Sequence, residues 1–584
     1  MLTAADAGDA AALLAAVPAG RRVALVDPRF VGHVHALRLG LTDPRFPAAT
    51  VPGALTAQAE ARPALLRALH RTTAAVGAGA PVVDPQADPA PEDRTVPGRI
   101  AVALESEGTP VHRPALGSLV AAVPTDAEQQ AAAAAGLTSV DDEAVRLRSA
   151  VKAHDGFFTT FCISPYSRYI ARWCARRGLT PNQVTTASLV TALVAAGAAA
   201  TGTRGGYIAA GLLLLVSFVL DCTDGQLARY SLQYSTMGAW LDATFDRAKE
   251  YAFYAGLAIG AVRGGDDVWT LALGAMVLQS CRHVVDFSFN EANHDAVANT
   301  SPTAALSDRL DSVGWTVWAR RMIVLPIGER WAMIAVLTAL TTPRIVFYAL
   351  LVGCSLAACY TTAGRLLRSL TRKARRTDRA AQALADLADS GPLAQAVAAV
   401  APGLRGAFTA PVLALLGALV MVGSALFLPY GSGLTVAAAG VYVVLSGLAV
   451  ARPLKGALDW LVPPVFRAAE YVTILVLAAR SDVPHAVPAA FGLVSAVAYH
   501  HYDTVYRIRG GTGAPPRWLV RTIGGHEGRT ALVAVLAAVL THASGFTTAL
   551  TALAVAVALV ALVESIRFWV SSSAPAVHDE GELA

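Results

Sequence analysis

From about residue 182 to residue 570 the chain returns repeatedly to apolar runs approaching the ~20 residues needed to cross a bilayer. Inside a bilayer every backbone N–H and C=O must be satisfied within the protein, so runs of this length read as helices. The sequence therefore predicts a mainly α, polytopic membrane protein. Its composition, 54% hydrophobic and 15% charged, agrees. Six spans are expected near 182–202, 206–228, 236–262, 268–288, 328–342 and 345–362. Six more are expected near 409–429, 433–452, 464–480, 486–503, 529–543 and 546–570. Arg168, Arg172, Arg176 and Arg177 precede the first span, and a basic stretch from Arg365 to Arg379 follows the sixth. An even number of spans puts both clusters in the cytoplasm under the positive-inside rule. The segment SPYSRYIARWCARRG reads as an interfacial amphipathic helix, with Tyr166, Ile170, Trp173 and Cys174 on the face opposite its arginines.

Against this background four acids need a reason. Asp221, Asp224, Asp242 and Asp246 lie beside and within strongly apolar sequence, where an unpaired carboxylate costs several kcal/mol. Asp221 and Asp224 are three residues apart and Asp242 and Asp246 four apart, so each pair shares one helix face. Brought together by the intervening turn, the two faces make a carboxylate pocket suited to hard divalent cations, Mg²⁺ or Mn²⁺. With the topology above, the pocket opens to the cytoplasm.

The stretch LDCTDGQLARYSLQYSTMGAWLDATFDRAKEY follows the pattern D-x2-D-G-x2-A-R-x8-G-x3-D-x3-D, completed by Gly225, Ala228, Arg229 and Gly238. In this it resembles the CDP-alcohol phosphotransferase (CDP-alcohol phosphatidyltransferase) family, from about Lys152 to Tyr360. KAHDGFFTTF, the arginine-rich helix and TPN, which contains Asn182, are similar to the family branch that makes inositol-phosphate diesters, often fused to a cytidylyltransferase-like domain. The resemblance implies a six-helix bundle that transfers a phosphoalcohol group from a CDP-alcohol donor to a hydroxyl acceptor with release of CMP. It implies a two-metal site of Mg²⁺ or Mn²⁺ on Asp221, Asp224, Asp242 and Asp246, with Asp246 also the general base. Asp221, Gly225, Ala228, Arg229, Gly238 and Asn182 would bind the donor nucleotide. Arg247, Lys249, Arg282, Arg320, Arg321 and Arg330, near the cytoplasmic ends of spans, are candidates for an acceptor phosphate, each also readable as a positive-inside anchor.

The C-terminal block reads as a diverged duplicate of the first. FRAAEY at 466–471 echoes DRAKEY at 246–251, and IGGHEGRTALVAVLAAVL echoes IGERWAMIAVLTAL. Where the first copy has its acids, the second keeps only Asp459 before Glu470, so it is expected to scaffold rather than catalyse. His500, His501, Asp503 and His526 form a possible separate polar cluster.

Five segments are thus expected: 1–150, a soluble α/β domain; 151–362, the catalytic membrane domain; 363–408, a basic, Ala-rich cytoplasmic linker; 409–572, the diverged membrane repeat; and 573–584, a tail. The N-terminus lacks a basic n-region, so no signal peptide is expected and the first domain stays cytoplasmic. That domain has no G-x-G-T-R loop followed by Pro-Lys; VGAGAPVV is the nearest stretch, and Asp27 and Arg29 mark a strand end. A degenerate nucleotidyltransferase-like or regulatory role is expected of it. The six cysteines show neither a disulfide framework nor a metal spacing. A lipid bilayer and no nucleic acid are the expected partners, with the chain a homodimer or a monomer holding an intramolecular pseudo-dimer. The alternatives are a two-repeat membrane transporter, against which stands the presence of acids in one copy only, or a non-catalytic membrane scaffold.

Overall fold

The computed structural model describes residues 2–77, 95–152, 155–294, 324–371, 375–401, 403–404, 406, 408–540 and 544–571. Most of VGAGAPVV, the 372–374 part of the basic stretch, and Arg320 and Arg321 lie outside the described residues.

Residues up to 150 combine small sheets with helices. Strands β1 (Val23–Val26), β2 (Val31–Gly32), β3 (Ala48–Val51), β4 (Ala54–Ala57), β5 (Val111–His112) and β6 (Ala121–Ala122) form a four-stranded sheet of order β1-β4-β3-β5 and a β2-β6 pair. All pairings are antiparallel except β3 with β5. Helices α1 (Ala7–Ala16), α2 (Val34–Leu41), α3 (Arg62–Gly77), α4 (Val96–Ser106), α5 (Ala127–Ser139) and α6 (Asp142–Ser149) pack around them. The apolar segment GRIAVALE at 98–105 is part of α4: Thr95 caps it, Pro97 opens it, and Ile100, Ala101, Ala103 and Leu104 are buried at helical spacing. Asp27 follows β1 and is held by Arg29, backbone and side chain.

The next elements are α7 (Ser164–Arg176), α8 (Pro181–Ala200), α9 (Arg204–Ser231), α10 (Thr236–Arg263), α11 (Trp269–Asn293), α12 (Ile327–Leu340) and α13 (Pro343–Thr371). They are followed by α14 (Asp378–Ala388), α15 (Pro392–Val400), α16 (Thr409–Phe427), α17 (Gly433–Val450), α18 (Val462–Arg480), α19 (Ala486–Arg509), α20 (Arg517–Thr522), α21 (Gly525–Val539) and α22 (Gly545–Ser571). Each of the twelve apolar stretches expected to span coincides with a helix over most of its described residues. Among the described residues, seven helices are long and apolar enough to cross a membrane.

Two expectations change. In α7, Cys174 is buried with Ser167 and Ala171, whereas Tyr166 and Trp173 are exposed together with Tyr169. The aromatic stripe and the cysteine therefore lie on adjacent faces rather than one, because the stripe looks outward while the small residues pack on α9. The expected linker, in turn, contains α14 and α15. Ala380, Ala381, Ala383, Leu384, Leu387 and Ala388 make one buried face on α14. That face packs against α11 and α18, so this piece of chain joins the membrane helices instead of bridging them loosely. One continuous apolar core runs from Ile163, just before α7, to Val557 in α22.

A carboxylate site where two helices meet

The turn between α9 and α10 sets the geometry. Thr203 caps the start of α9, and Leu232 ends it in a left-handed conformation (φ 55°), its N–H returning to Ala228 O. Ser235 then caps α10 by accepting from Gly238 N at 2.9 Å. Asp221 lies ten residues before the end of α9 and Asp246 ten residues after the start of α10, so the reversed helices carry them at the same level. Helix α8 packs against both and closes the wedge.

Carboxylate oxygens of Asp221, Asp242 and Asp246 all lie within 4.8 Å of one another, the one such acidic group among the described residues. Asp224, one turn along α9, is outside this group; it is 4% exposed and its Oδ2 has no hydrogen-bond partner. Lys249, expected near an acceptor phosphate, is instead buried among the acids. Its Nζ bonds Asp221 Oδ1, Asp246 Oδ1 at 3.0 Å and Ser188 Oγ at 3.1 Å, which uses all three ammonium donors. With all three carboxylates ionised, the one ammonium leaves a charge deficit of two. An oxygen-rich cluster with that deficit and an orphaned buried carboxylate oxygen beside it fits a hard divalent cation.

The other pattern residues surround this cluster. A Cβ at Gly238 would sit 2.8 Å from both Asn182 Oδ1 and Ser235 Oγ, so glycine lets the start of α8 approach α10. The Arg229 guanidinium covers Gly225, 3.4 Å from where a Cβ would stand, while Arg229 Nε donates to Ala150 O at 2.6 Å. Ala228 is buried.

The arginines separate into two settings. Arg247 donates to Glu250 Oε2 at 2.8 Å, Arg330 to the same oxygen at 3.3 Å, and Tyr254 Oη to Oε1 at 2.8 Å. Arg282 donates to Val324 O; its Nη1 and Arg247 Nε are buried without partners. Glu250 was missed by motif reading, although it is the acid that DRAKEY and FRAAEY share.

The echo is visible in space. In the second block Arg467 donates to Glu470 at 3.0 Å and Arg529 to Glu470 at 2.5 Å, the counterparts of Arg247, Glu250 and Arg330. A second acid, Asp389, completes this network, 2.9 Å from both Arg467 and Arg529 and 3.1 Å from His500 Nε2. The second block therefore balances two guanidiniums with two carboxylates, where Arg247 and Arg330 share Glu250. The polar residues read as a possible cluster there disperse. Asp503 serves Arg507, Ser565 and Trp569, His526 faces Tyr442 Oη, and no acidic metal group forms among the described residues.

Residues 178–359 match the family model described as CDP-alcohol phosphatidyltransferase. Residues 378–584 match a model described as a family of unknown function, DUF5941. The chain is 29% identical over 154 residues to a phosphatidylinositol phosphate synthase of Streptomyces avermitilis, covering 26% of this chain and 59% of that protein. It is 31% identical over 113 residues to an archaetidylinositol phosphate synthase of Pyrococcus horikoshii, 19% of this chain and 58% of the relative. A bifunctional IPC transferase and DIPP synthase of Rubrobacter xylanophilus is 39% identical over 83 residues, 14% of this chain and 18% of that one. The chain thus spans less than two thirds of the length of these curated relatives.

Proposed function

We propose that the domain at 178–359 transfers a substituted phosphate from a CDP-alcohol to a hydroxyl acceptor and releases CMP. The observation that carries this is the convergence of Asp221, Asp242 and Asp246 within 4.8 Å inside a segment of that family. The acceptor oxygen attacks the phosphorus that bears the donor alcohol, the bond from that phosphorus to the CMP oxygen breaks, and the acceptor's proton passes to Asp246. Bound Mg²⁺ or Mn²⁺ would supply charge neutralisation of the pyrophosphate oxygens, held by Asp221, Asp242 and Asp246 with Asp224. Lys249 orients two of these carboxylates and keeps the cluster from repelling itself apart. Asn182, Gly225, Ala228, Arg229 and Gly238 line the approach for the nucleotide, where small side chains let it near the backbone.

Acceptor recognition falls to Arg247, Arg282 and Arg330, with Arg320 and Arg321 as further candidates. The buried Arg247 Nε and Arg282 Nη1, which have no partner, and the single Glu250 carboxylate shared by Arg247 and Arg330 suit a phosphate. Relatives named for inositol-phosphate products favour a phosphorylated inositol as acceptor. We read the whole as two six-helix halves, the second a scaffold without catalytic acids, with the site and the N-terminal α/β domain on the cytoplasmic side of the cell membrane. The test is CMP release from a CDP-activated lipid and inositol phosphate by the full chain in nanodiscs with Mg²⁺. Asp246→Asn should lower the rate by about 10²-fold or more; an unchanged rate would refute the assignment of the base.

A further inference from the structure

A cavity of about 360 Å³ lies on the seam between the soluble domain and the membrane helices, lined from α2, α6, α7 and α9. Its walls carry His35, Arg38 and Arg146 from the first domain and Arg176 and Tyr230 from the second. His35 is 3% exposed, and neither ring nitrogen has a hydrogen-bond partner. A buried imidazole with both nitrogens unmatched is rare unless something else supplies the partner.

The surrounding charges say what kind of partner. Arg146 Nε donates to Tyr230 O at 2.7 Å and Arg38 Nη2 to Ser231 O at 3.3 Å, each directed at the last turn of α9. These bonds satisfy carbonyls that a helix end leaves open, and they leave the rest of each guanidinium fork facing the cavity. Burial, then the neighbouring Arg38, hold the Arg146 pKa below its usual value. Burial, then Arg146 and Arg38, push His35 down to about 4. Two acids also line the cavity, Asp142 and Glu143, but Glu143 is engaged by Arg176 at 3.1 Å and by Tyr230 Oη at 3.2 Å. Three guanidiniums thus face two carboxylates, with a neutral imidazole between them.

We propose that this cavity binds a phosphate-bearing anion at the seam of the two domains. Several donors converging from different elements call for an anion with several oxygens, and 360 Å³ leaves room for an organic group attached to it. The site is separate from the carboxylate cluster but shares α9 with it: Tyr230 adjoins Arg229, which covers Gly225. The phosphate has two sources. Arg176 lies on α7, whose Tyr169 and Trp173 are exposed, so a lipid headgroup is one and a soluble phosphate ester the other.

The experiment compares melting of the full chain in zwitterionic-lipid nanodiscs with inorganic phosphate against chloride at matched ionic strength, and in nanodiscs with and without phosphatidylglycerol. Arg38→Gln and Arg176→Gln are the test variants; Arg176 is 62% exposed at its side chain, so its loss leaves the fold intact. Arg282→Gln controls for phosphate bound near the proposed acceptor site. The expected result is a saturable stabilisation by phosphate that weakens roughly tenfold in apparent affinity in both test variants and persists in Arg282→Gln. Stabilisation by phosphatidylglycerol alone, lost in the test variants, supports the proposal with a headgroup as ligand. Stabilisation lost only in Arg282→Gln, or absent with both probes, overturns it.

Discussion

Lys249 Nζ lies 3.0 Å from Asp246 Oδ1 while also bonding Asp221, so one buried ammonium ties the acid of α10 to the acid of α9. Neither helix end alone would hold two carboxylates this close at this depth. Replacing Lys249 by Met leaves those acids without their counter-charge, at a cost of about 3–5 kcal/mol. Melting in EDTA should fall accordingly, and Mg²⁺ should restore far more stability to Lys249→Met than it adds to the wild type, because the cation would then be the remaining positive charge. Equal responses to Mg²⁺ in the two proteins would show that no divalent cation occupies the cluster.

Helix contact in the first half depends on glycine at Gly260, where a Cβ would stand 2.1 Å from Ala199 O, and at Gly256, 2.4 Å from Ala196 O. Backbone cannot yield as a side chain can, so Gly260→Ala should destabilise by about 1–3 kcal/mol by forcing α8 and α10 apart. Gly197, between Ala196 and Ala199 but on the exposed side of α8, has nothing within 4 Å. There Gly197→Ala should be neutral, or stabilising by about 1 kcal/mol through helix propensity. Denaturation of the pair in detergent checks the contrast; equal effects would mean that this packing does not hold the bundle.

What was legible in the sequence follows from the range of each interaction. Helices over the apolar runs were, because a bilayer demands such runs, although among the described residues only seven of the twelve expected spans are long and apolar enough to cross. Asp221, Asp242 and Asp246 were, because a pattern with a fixed turn brings near neighbours together. Glu250 with Arg330, Asp389 with Arg529 and Arg146 with Tyr230 were not, since each pair lies some 80 to 140 residues apart and no local period encodes it. The same limit explains Lys249. Its side chain reaches the acids because it follows Asp246 by three residues on one helix, a spacing visible in sequence, but its bond to Asp221 depended on where α9 came to rest. The helices of 378–400 are not legible locally, because Ala-rich sequence between basic residues looks like a solvated linker until its buried partners are known.

Asp389 offers a test of the second half. It is 4% exposed and sits between Arg467, Arg529 and His500, on a residue with φ 52° that ends α14. Asp389→Asn keeps the shape and removes the charge, stranding two buried guanidiniums beside one Glu470, and should destabilise the chain by about 3–5 kcal/mol. Hydrogen exchange should show the loss concentrated in α14, α18 and α21, with α9 and α10 protected as before. A uniform loss across both halves would mean that they fold as one cooperative unit.

The N-terminal segment carries a pH signature through His35. Its folded pKa, about 4, lies below the unfolded value of about 6.5. Between those values the unfolded chain binds more protons than the folded one, so stability falls as pH drops from about 6.5 towards 4 and is unaffected by this group above 7. The full difference corresponds to at most about 3 kcal/mol, since Arg38, Arg146 and Asp142 all share the titration. In phosphate-free buffer, hydrogen exchange of α2 and α6 should quicken over that interval in the wild type and change little in His35→Phe, which has no proton to take up. If the His35→Phe protein shows the same acid sensitivity, the imbalance belongs to the paired carboxylates of this domain, such as Asp27 with Arg29, and not to the imidazole.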